Sequence, residues 1–514
     1  MHPEGPGERG ESGVNNLTRI AIGAAAVAAL VLGVLFGPGV LDPDRSCAAG
    51  VERPEGSEEC IGVSATGFDF GVGEIRDVAR AIGAENARVA KEGGLAVSVA
   101  VMMPFSATAP EQLTKMRHEL QGVYIRQLLA NREEGRPPRI RVLLANTGNL
   151  GLHWESVTEQ LVGMADDPVP LRAVTGIATS NTVTKQSVGL LSRHGIPMVG
   201  STITADDITD IPGLARVSPT NTDEARALVA HATSVDRNAL LVYDTQPMDN
   251  YARTLREAFD QQLPDQVYDA RPFTSSGEPD DPGNLGNVFN SIAHYICDTE
   301  ARTVFFAGRH TPLRVFVSEL GRSGCAERGF TVFTGDEASY LGQDELLDRA
   351  ALEQRPGEKR PRVVLKYAAL AHPDSWVASS GHTPPATGGS EAAFRRLESA
   401  LSEVRPEIGE NTLHDGQTII GYDAMATAVQ GIRRATGASA AVPALGDVTA
   451  QWPHFTGSLR VEGASGWICL DTEGNPRNKA VPIVRLTGDG SLGFEGFSWP
   501  DGKPPPEDCV YRKG

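Results

Sequence analysis

A chain of 514 residues is too long for one ordinary domain at about 150 residues per domain and suits two or three. Its 40% hydrophobic and 22% charged residues, with no sustained low-complexity tract, imply a folded, core-bearing protein rather than a disordered one. The formal charge of −18, from 65 acidic against 47 basic side chains, would repel a phosphate backbone and argues against nucleic acid as a partner.

Residues 1–18 are rich in Gly and Glu and read as an unstructured cytoplasmic tail. The charge-free apolar run 20–36, prolonged by 37–41, is just long enough to cross a bilayer core of about 30 Å, so 19–41 is predicted to be one transmembrane helix. Arg19 precedes it, while Asp42, Asp44 and Arg45 follow. That pattern predicts a single-pass cell-membrane protein, N-terminus cytoplasmic and main domain extracytoplasmic. A cleaved signal peptide is the alternative, but it would have to be cut near Gly37-Pro38-Gly39, where proline makes a poor site. Lipidation of Cys47 is disfavoured, because Asp44-Arg45-Ser46 lacks the small and apolar residues that precede a lipidated cysteine. All six cysteines, Cys47, Cys60, Cys297, Cys325, Cys469 and Cys509, lie beyond this segment, and their even number suits disulfides in an oxidising compartment. Fifteen pairings are open; sequence neighbours, Cys47 with Cys60, Cys297 with Cys325 and Cys469 with Cys509, are the most economical.

Residues 42–94 read as a polar stalk followed by a packing helix within 69–90, where Ile75, Val78, Ala79 and Ile82 fall at helical spacing. A strand at 95–101 then opens an alternating block: helix 111–131, strand 140–145, helix 155–166, strand 171–175. Such alternation implies a parallel sheet with right-handed crossovers, whose strand C-termini share one edge. In open parallel sheets that edge binds ligands, and here it would gather Phe105-Ser106-Ala107-Thr108 and the turns at 178–182 and 201–204 around one crevice. Thr179-Ser180-Asn181-Thr182 offers N-caps for a helix over 183–194, which Gly195 stops. Ile196-Pro197-Met198-Val199 is the next strand, Gly200-Ser201-Thr202-Ile203-Thr204 repeats the hydroxyl-rich turn, and Arg216-Val217-Ser218-Pro219 returns as a third short strand. A second block follows: helix 223–234, strand 239–243, helix 250–262, a connection through 280–286, strand 303–306, helix 313–322 and strand 331–334. The chain ends with strand 363–366, helices 391–404 and 422–435, and a hairpin-like stretch over 463–485, linked by Pro- and Gly-rich surface pieces.

This succession, with Gly176, the two hydroxyl turns, Gly195-Ile196-Pro197 and Arg216-Val217-Ser218-Pro219, resembles the type I periplasmic binding proteins. The branched-chain amino-acid (Leu/Ile/Val) group of ABC-transporter substrate-binding proteins is the most similar. Val304-Phe305-Phe306-Ala307-Gly308, Phe333-Thr334-Gly335-Asp336-Glu337, Gly421-Tyr422-Asp423-Ala424 and Gly463-Ala464-Ser465-Gly466-Trp467-Ile468 look like that family's later landmarks, in order. The resemblance covers 95–486 and implies an α/β fold of two doubly wound parallel-sheet lobes joined by a three-stranded hinge. It would assign 95–232 and 363–440 to lobe one, 233–362 and 441–495 to lobe two, and 496–514 to a C-terminal tail.

A ligand carboxylate needs hydrogen-bond donors at the positive end of a helix dipole, which Ser180, Thr182, Thr202 and Thr204 can supply, with Ser106 on the neighbouring loop. Such residues also simply cap helices. The resemblance matches Thr204 to a hydroxyl that contacts the ligand carboxylate and sets Ser180 close to a matching serine. It sets Glu337 in the place of the amino-group acceptor, with Asp336 a close rival, although an acidic pair after a strand is commonly a solvated turn. Arg309 and His310 stand where the amino-acid binders present an aromatic residue. Facing the cleft, Arg309 would add a cation suited to an anionic or polar ligand; facing water, it is an ordinary surface arginine. Tyr251 either lines the second lobe or packs within it.

No G-x-S-x-G, H-E-x-x-H, Walker loop or C-x-x-C occurs, and the 11 histidines lack metal-ligand spacing, so neither an enzyme nor a metal or cofactor site is expected. Asp471-Thr472-Glu473-Gly474-Asn475 lacks the full calcium-loop pattern and reads as a hairpin turn. The expected function is an extracytoplasmic solute-binding receptor that closes on a small polar, amino-acid-like ligand and works with an ABC permease. The alternative is a membrane-anchored ligand sensor or scaffold subunit with the same fold and no transport role.

Overall fold

The computed structural model describes residues 45–509 except 178, 233–237, 264–265, 277–280, 355–356 and 358–359. The tail expected at 1–18 and the transmembrane segment expected at 19–41 lie outside the described residues. Among the described residues no helix is long and apolar enough to cross a membrane. Even the longest, Pro110–Arg132, carries charged side chains along its length. The expectation of a single-pass membrane protein with a cytoplasmic N-terminus is therefore withdrawn.

The chain divides into two units, Met1–Cys47 and Ala48–Gly514, and every element described below lies in the second. Its first sheet contains β1 (Val51–Glu52), β2 (Ile61–Ser64), β3 (Ala96–Met103), β4 (Arg139–Asn146), β5 (Leu171–Gly176), β6 (Met198–Gly200) and β7 (Leu214–Arg216), in the order β1-β2-β4-β3-β5-β6-β7. From β4 to β7 all pairings are parallel, while β2 and β1 add antiparallel at one edge. β3 is buried at every position after its first, as a strand covered on both faces must be. Residues expected to be a stalk thus contribute two strands to the sheet, because Ile61 and Val63 are buried in its core.

The second sheet contains β8 (Leu240–Asp244), β9 (Arg271–Phe273), β10 (Thr303–Ala307), β11 (Phe330–Thr334) and β12 (Val363–Ala368), parallel in the order β9-β8-β10-β11-β12. A hairpin, β13 (Val461–Gly463) and β14 (Gly466–Ile468), stands apart; β15 (Val481–Leu486) and β16 (Leu492–Ser498) extend the second sheet antiparallel from β12. Helix α1 (Arg76–Glu92), α2 (Pro110–Arg132), α3 (Trp154–Gly163) and α4 (Thr182–Arg193) surround the first sheet. α5 (Asn221–His231), α6 (Asn250–Gln262), α7 (Leu285–Cys297) and α8 (His310–Arg322) cover the second, whose two faces carry separate apolar cores. α9 (Glu391–Ile408) and α10 (Gln417–Thr436) return to the first lobe.

The chain passes between lobes three times, near 217–220, 369–372 and 477–480. This corrects the expected lobe boundaries. β12 belongs to the second sheet, where it bonds to β11 and β15. Residues after 440 stay on the first lobe as far as the third crossing: Trp452 Nε1 donates to the Gly213 carbonyl at 2.9 Å, and Arg216 N to that of Gly474 at 2.9 Å. α5, placed by sequence before the first boundary, packs on α6 and the second sheet. Hydrophobic pattern identifies a strand but not the sheet edge that receives it.

Two disulfides close loops within this frame, Cys297–Cys325 and Cys469–Cys509, with Cα separations of 5.5 and 6.3 Å. No described cysteine is free. Helices α2 and α10 touch backbone to backbone at a reciprocal pair of glycines. A Cβ at Gly122 would overlap the Thr418 carbonyl, and one at Gly421 would overlap that of Glu119. This close approach fixes the α2 face that looks toward the other lobe.

Candidate functional site

Because both sheets are parallel in their centres, loops leaving the C-terminal ends of β3, β5, β6, β10 and β11 converge between the lobes. Gly176, at φ +84, and Ile177, at φ 55, turn the chain sharply after β5 and aim Thr179 to Thr182 into the gap. A side chain at Gly176 would also press on the Met102 carbonyl, 3.0 Å away. The loops and α2 enclose a cavity of about 40 Å³, lined by Lys115, Glu119, Thr179, Ser180, Thr202, Thr204, Tyr251, Arg309, Asp336, Glu337, Tyr340 and others.

On the first lobe, Ser180 Oγ accepts from the backbone N–H groups of Thr204 and Ala205 at 3.1 and 3.3 Å, tying the two hydroxyl turns together. Thr204 Oγ1 is buried and has no hydrogen-bond partner. Thr182 and Ser106 take other roles. Thr182 Oγ1 donates across the gap to Asn250 Oδ1 at 3.2 Å, outside the cavity, while Asn146 Nδ2 donates to Ser106 Oγ at 2.8 Å. Asn181 caps α4 by accepting from Thr184 N at 2.8 Å.

On the second lobe, Arg309 faces the cleft. Its Nε and Nη2 grip Asp249 at 2.8 and 2.7 Å, its Nη1 donates to Glu337 Oε1 at 2.8 Å, and Nη2 also reaches the Ser180 carbonyl at 2.9 Å. The guanidinium lies 5.0 Å from the centre of the Tyr251 ring, whose hydroxyl accepts from Glu337 N at 3.5 Å. His310 Nδ1 meets the second Glu337 oxygen at 3.1 Å, its Nε2 stands 3.5 Å from Glu111 Oε1 on the first lobe, and its ring stacks on Tyr340 at 4.5 Å. Although burial opposes ionisation, Arg309 and His310 hold the Glu337 carboxyl down at about 2. The expected amino-group acceptor is thus already occupied by the protein's own cations.

Asp336 is the opposite case. Its Oδ1 is buried without a partner, and burial together with the neighbouring Glu337 charge pushes its pKa up to about 7. Glu119, whose carboxylate accepts a short hydrogen bond from Ser201, is likewise raised by burial to about 7. Burial, and then the Asp336 charge, raise Glu224 well above the ordinary range. Lys115 reaches from α2 to donate to Ser339 Oγ at 2.9 Å, with its ammonium 3.1 Å above the Tyr340 ring, and burial lowers its pKa. The lobes are therefore closed on one another around a cavity that holds buried acid groups short of cations and a hydroxyl short of a partner.

Lys115, Glu119, Asp249 and Tyr340 escaped the sequence reading. For α2 a signal exists: Gln112, Lys115 and Glu119 fall at i, i+3 and i+7, one face of a helix, and all three line the cavity. Among the described residues no group of three or more His, Cys, Asp or Glu is arranged to hold a metal ion. Asp471 accepts from the N–H groups of Glu473 and Asn475, both at 2.9 Å, as a turn aspartate does.

No protein-family model matches this sequence, and no curated protein matches it. Solved structures do match. The leucine-binding protein LivK of Thermotoga maritima superposes with a TM-score of 0.57 at 16% identity, covering 79% of this chain and 99% of that one. LivJ of Streptococcus pneumoniae, a branched-chain amino-acid transporter substrate-binding protein solved with isoleucine, gives a TM-score of 0.57 at 14% identity, covering 79% and 99%. An ABC-transporter solute-binding protein of R. palustris, solved with benzoate, gives 0.55 at 14%, covering 79% and 97%. The fold is that of the type I periplasmic binding proteins: two α/β lobes with parallel sheets.

Proposed function

We propose that this chain is a solute-binding protein whose lobes close on a small, polar, amino-acid-like ligand, and that it works with an ABC permease. Thr204 and the adjoining hydroxyl turns receive the ligand carboxylate; Asp336 receives its ammonium. The observation that carries this reading is that Thr204 Oγ1 and Asp336 Oδ1, one from each lobe, line the same cavity, are buried, and lack partners. Unpaired buried polar groups cost about 1–3 kcal/mol each, so a ligand that pairs both favours the closed form. Glu337 plays a supporting role instead, holding Arg309 and His310 in place. The ABC assignment draws on the neighbours, which are substrate-binding proteins of such transporters. The disulfides suit an oxidising compartment. Binding is favoured over turnover by the structural neighbours, which are binding proteins.

A sensor or scaffold without a transport role is the second reading, and Arg309 is what favours it: bridging both lobes, it clasps them without any solute. A thermal-shift screen of the purified chain against amino acids and small carboxylates tests the first. A ligand at a hundred times its Kd adds about 2.7 kcal/mol of stability. If no such compound raises the melting temperature, the solute-binding proposal falls.

A further inference from the structure

His310 is a titratable group shared by the two lobes. It opens α8 on the second lobe, is only 2% exposed, and its two ring nitrogens face carboxylates on opposite sides of the gap. Nδ1 lies 3.1 Å from Glu337 Oε2 on its own lobe. Nε2 lies 3.5 Å from Oε1 of Glu111, in the first turn of α2 on the other, an ion-pair rather than a hydrogen-bond distance. Stacking on Tyr340, with ring centres 4.5 Å apart, fixes the imidazole in this orientation.

Only the charged ring suits both carboxylates. A neutral imidazole has one N–H, so in either tautomer its other nitrogen turns a lone pair toward a buried carboxylate. Burial, the adjacent Arg309 and the positive end of α8 all oppose the charge. Burial notwithstanding, Glu111 and then Glu337 raise the His310 pKa above its ordinary 6.5. Glu111 is lowered in return, chiefly by its contact with His310. The other charged groups on the packed elements are Lys115 on α2, Asp336 beside Glu337, and Arg314 one turn along α8, which is held by Asp344 at 3.1 Å. Arg309 crosses the same gap with a charge that does not titrate, whereas the contact made by His310 is conditional.

We infer that the proton on His310 is a closure signal: the charged ring draws Glu111 and Glu337 together across the gap and keeps the lobes shut, and loss of its proton lets them part. Opening returns Glu111 to water and removes the repulsion that a neutral ring leaves behind. The lobes are therefore held more firmly in acid than in alkali. Because the ring gives up its first-lobe partner on opening, its pKa is lower in the open form. Between the open and closed values, the closed-to-open ratio falls about tenfold for each unit of pH. The device depends on the two lobes and not on the identity of any solute.

Small-angle scattering of the ligand-free full chain from about pH 5 to about pH 9, a range that brackets an imidazole, tests this. The radius of gyration of the parent is expected to increase as pH rises through the His310 pKa. Glu111→Gln, whose amide can donate to the neutral ring, is expected to abolish that increase. Asp336→Asn and Glu119→Gln, which remove the two cavity carboxyls raised to about 7, are expected to keep it. If Glu111→Gln does not fold, His310→Phe, which preserves a ring against Tyr340, is expected to give a radius independent of pH. A constant radius in the parent, a parental transition in Glu111→Gln or His310→Phe, or loss of the transition in Asp336→Asn or Glu119→Gln overturns the inference. None of these outcomes decides whether a solute binds, which the thermal-shift screen tests separately.

Discussion

Arg309, at the N-terminus of a second-lobe helix, donates to the backbone carbonyl of Ser180 on the first lobe at 2.9 Å. That carbonyl also accepts from Tyr251 N at 3.1 Å, so two second-lobe donors converge on one first-lobe acceptor. With Asp249 and Glu337 fixing the guanidinium from its own lobe, the contact is a preorganised clasp rather than a loose surface pair. Whatever solute enters adds to this clasp instead of closing the lobes alone.

Arg309→Ala should therefore loosen the empty protein. Loss of a charge-assisted hydrogen bond across the lobes is worth about 1.5–3 kcal/mol, which shifts the closed-to-open ratio roughly ten- to a hundredfold. Small-angle scattering of the ligand-free variant should give a larger radius of gyration than the parent. An unchanged radius in a folded variant would mean that closure does not depend on this arginine.

Stability should depend on pH with two opposed limbs. Asp336 and Glu119, raised to about 7 chiefly by burial, hold protons in the folded chain that the unfolded chain releases near pH 4. Their favourable contribution is lost as pH rises from about 4 to 7. Held up by Glu111 and Glu337 against the lowering effect of burial, His310 acts in the same sense: its contribution is complete below the unfolded value near 6.5 and is lost as pH rises through its folded pKa. Glu337, held at about 2 despite burial, contributes above about pH 4 and loses that contribution as pH falls toward 2. Melting temperatures should accordingly decline on both sides of mildly acidic pH. Asp336→Asn should flatten the neutral limb and Glu337→Gln the acid limb; melts whose slopes are indifferent to both changes would refute these ionisation states.

Gly421→Ala places a methyl group against the Glu119 carbonyl, where backbone meets backbone and nothing flexible can yield. Overpacking of this kind costs about 1–3 kcal/mol. Because Lys115 and Glu119 ride on the displaced helix, ligand affinity should fall along with the denaturation midpoint. Parental affinity in a destabilised variant would separate the helix contact from the site.

Removing Cys297–Cys325, which closes a loop of 28 residues, releases roughly 3.5 kcal/mol of restraint on the unfolded chain. A Cys297→Ala, Cys325→Ala double variant should melt several degrees lower while binding ligand as before, since neither residue touches the cavity. A matching melting temperature would show that this bridge adds no net stability.

Much of this was readable in the chain itself. The strands around 171–176 and 303–307 are apolar, short and bounded by Gly, and their hydroxyl or charged turns fall where parallel strands end. Residues 271–297 were not: Pro272 and the Asp280-Asp281-Pro282-Gly283 run suggest a loop, yet Phe273 and Phe289 anchor a strand and a helix in an aromatic cluster with Phe306 and Phe316. Tertiary burial overrode local turn chemistry there. At the site, the family resemblance singled out Thr204 and the acidic pair, but it could not decide which acid remains free. That choice is made by the direction of one arginine side chain, and an N-cap arginine can point to either side. Thr182 and Ser106 carry the right hydroxyls, but their partners, Asn250 and Asn146, lie far away in sequence.

The most direct test of the account is calorimetric titration of a ligand found by the thermal-shift screen into the parent chain, Thr204→Val and Asp336→Asn. Each substitution is predicted to weaken binding by about 1.5–3 kcal/mol, roughly ten- to a hundredfold, with the fold intact. Parental affinity in both variants would contradict the claim that the solute is held between Thr204 and Asp336.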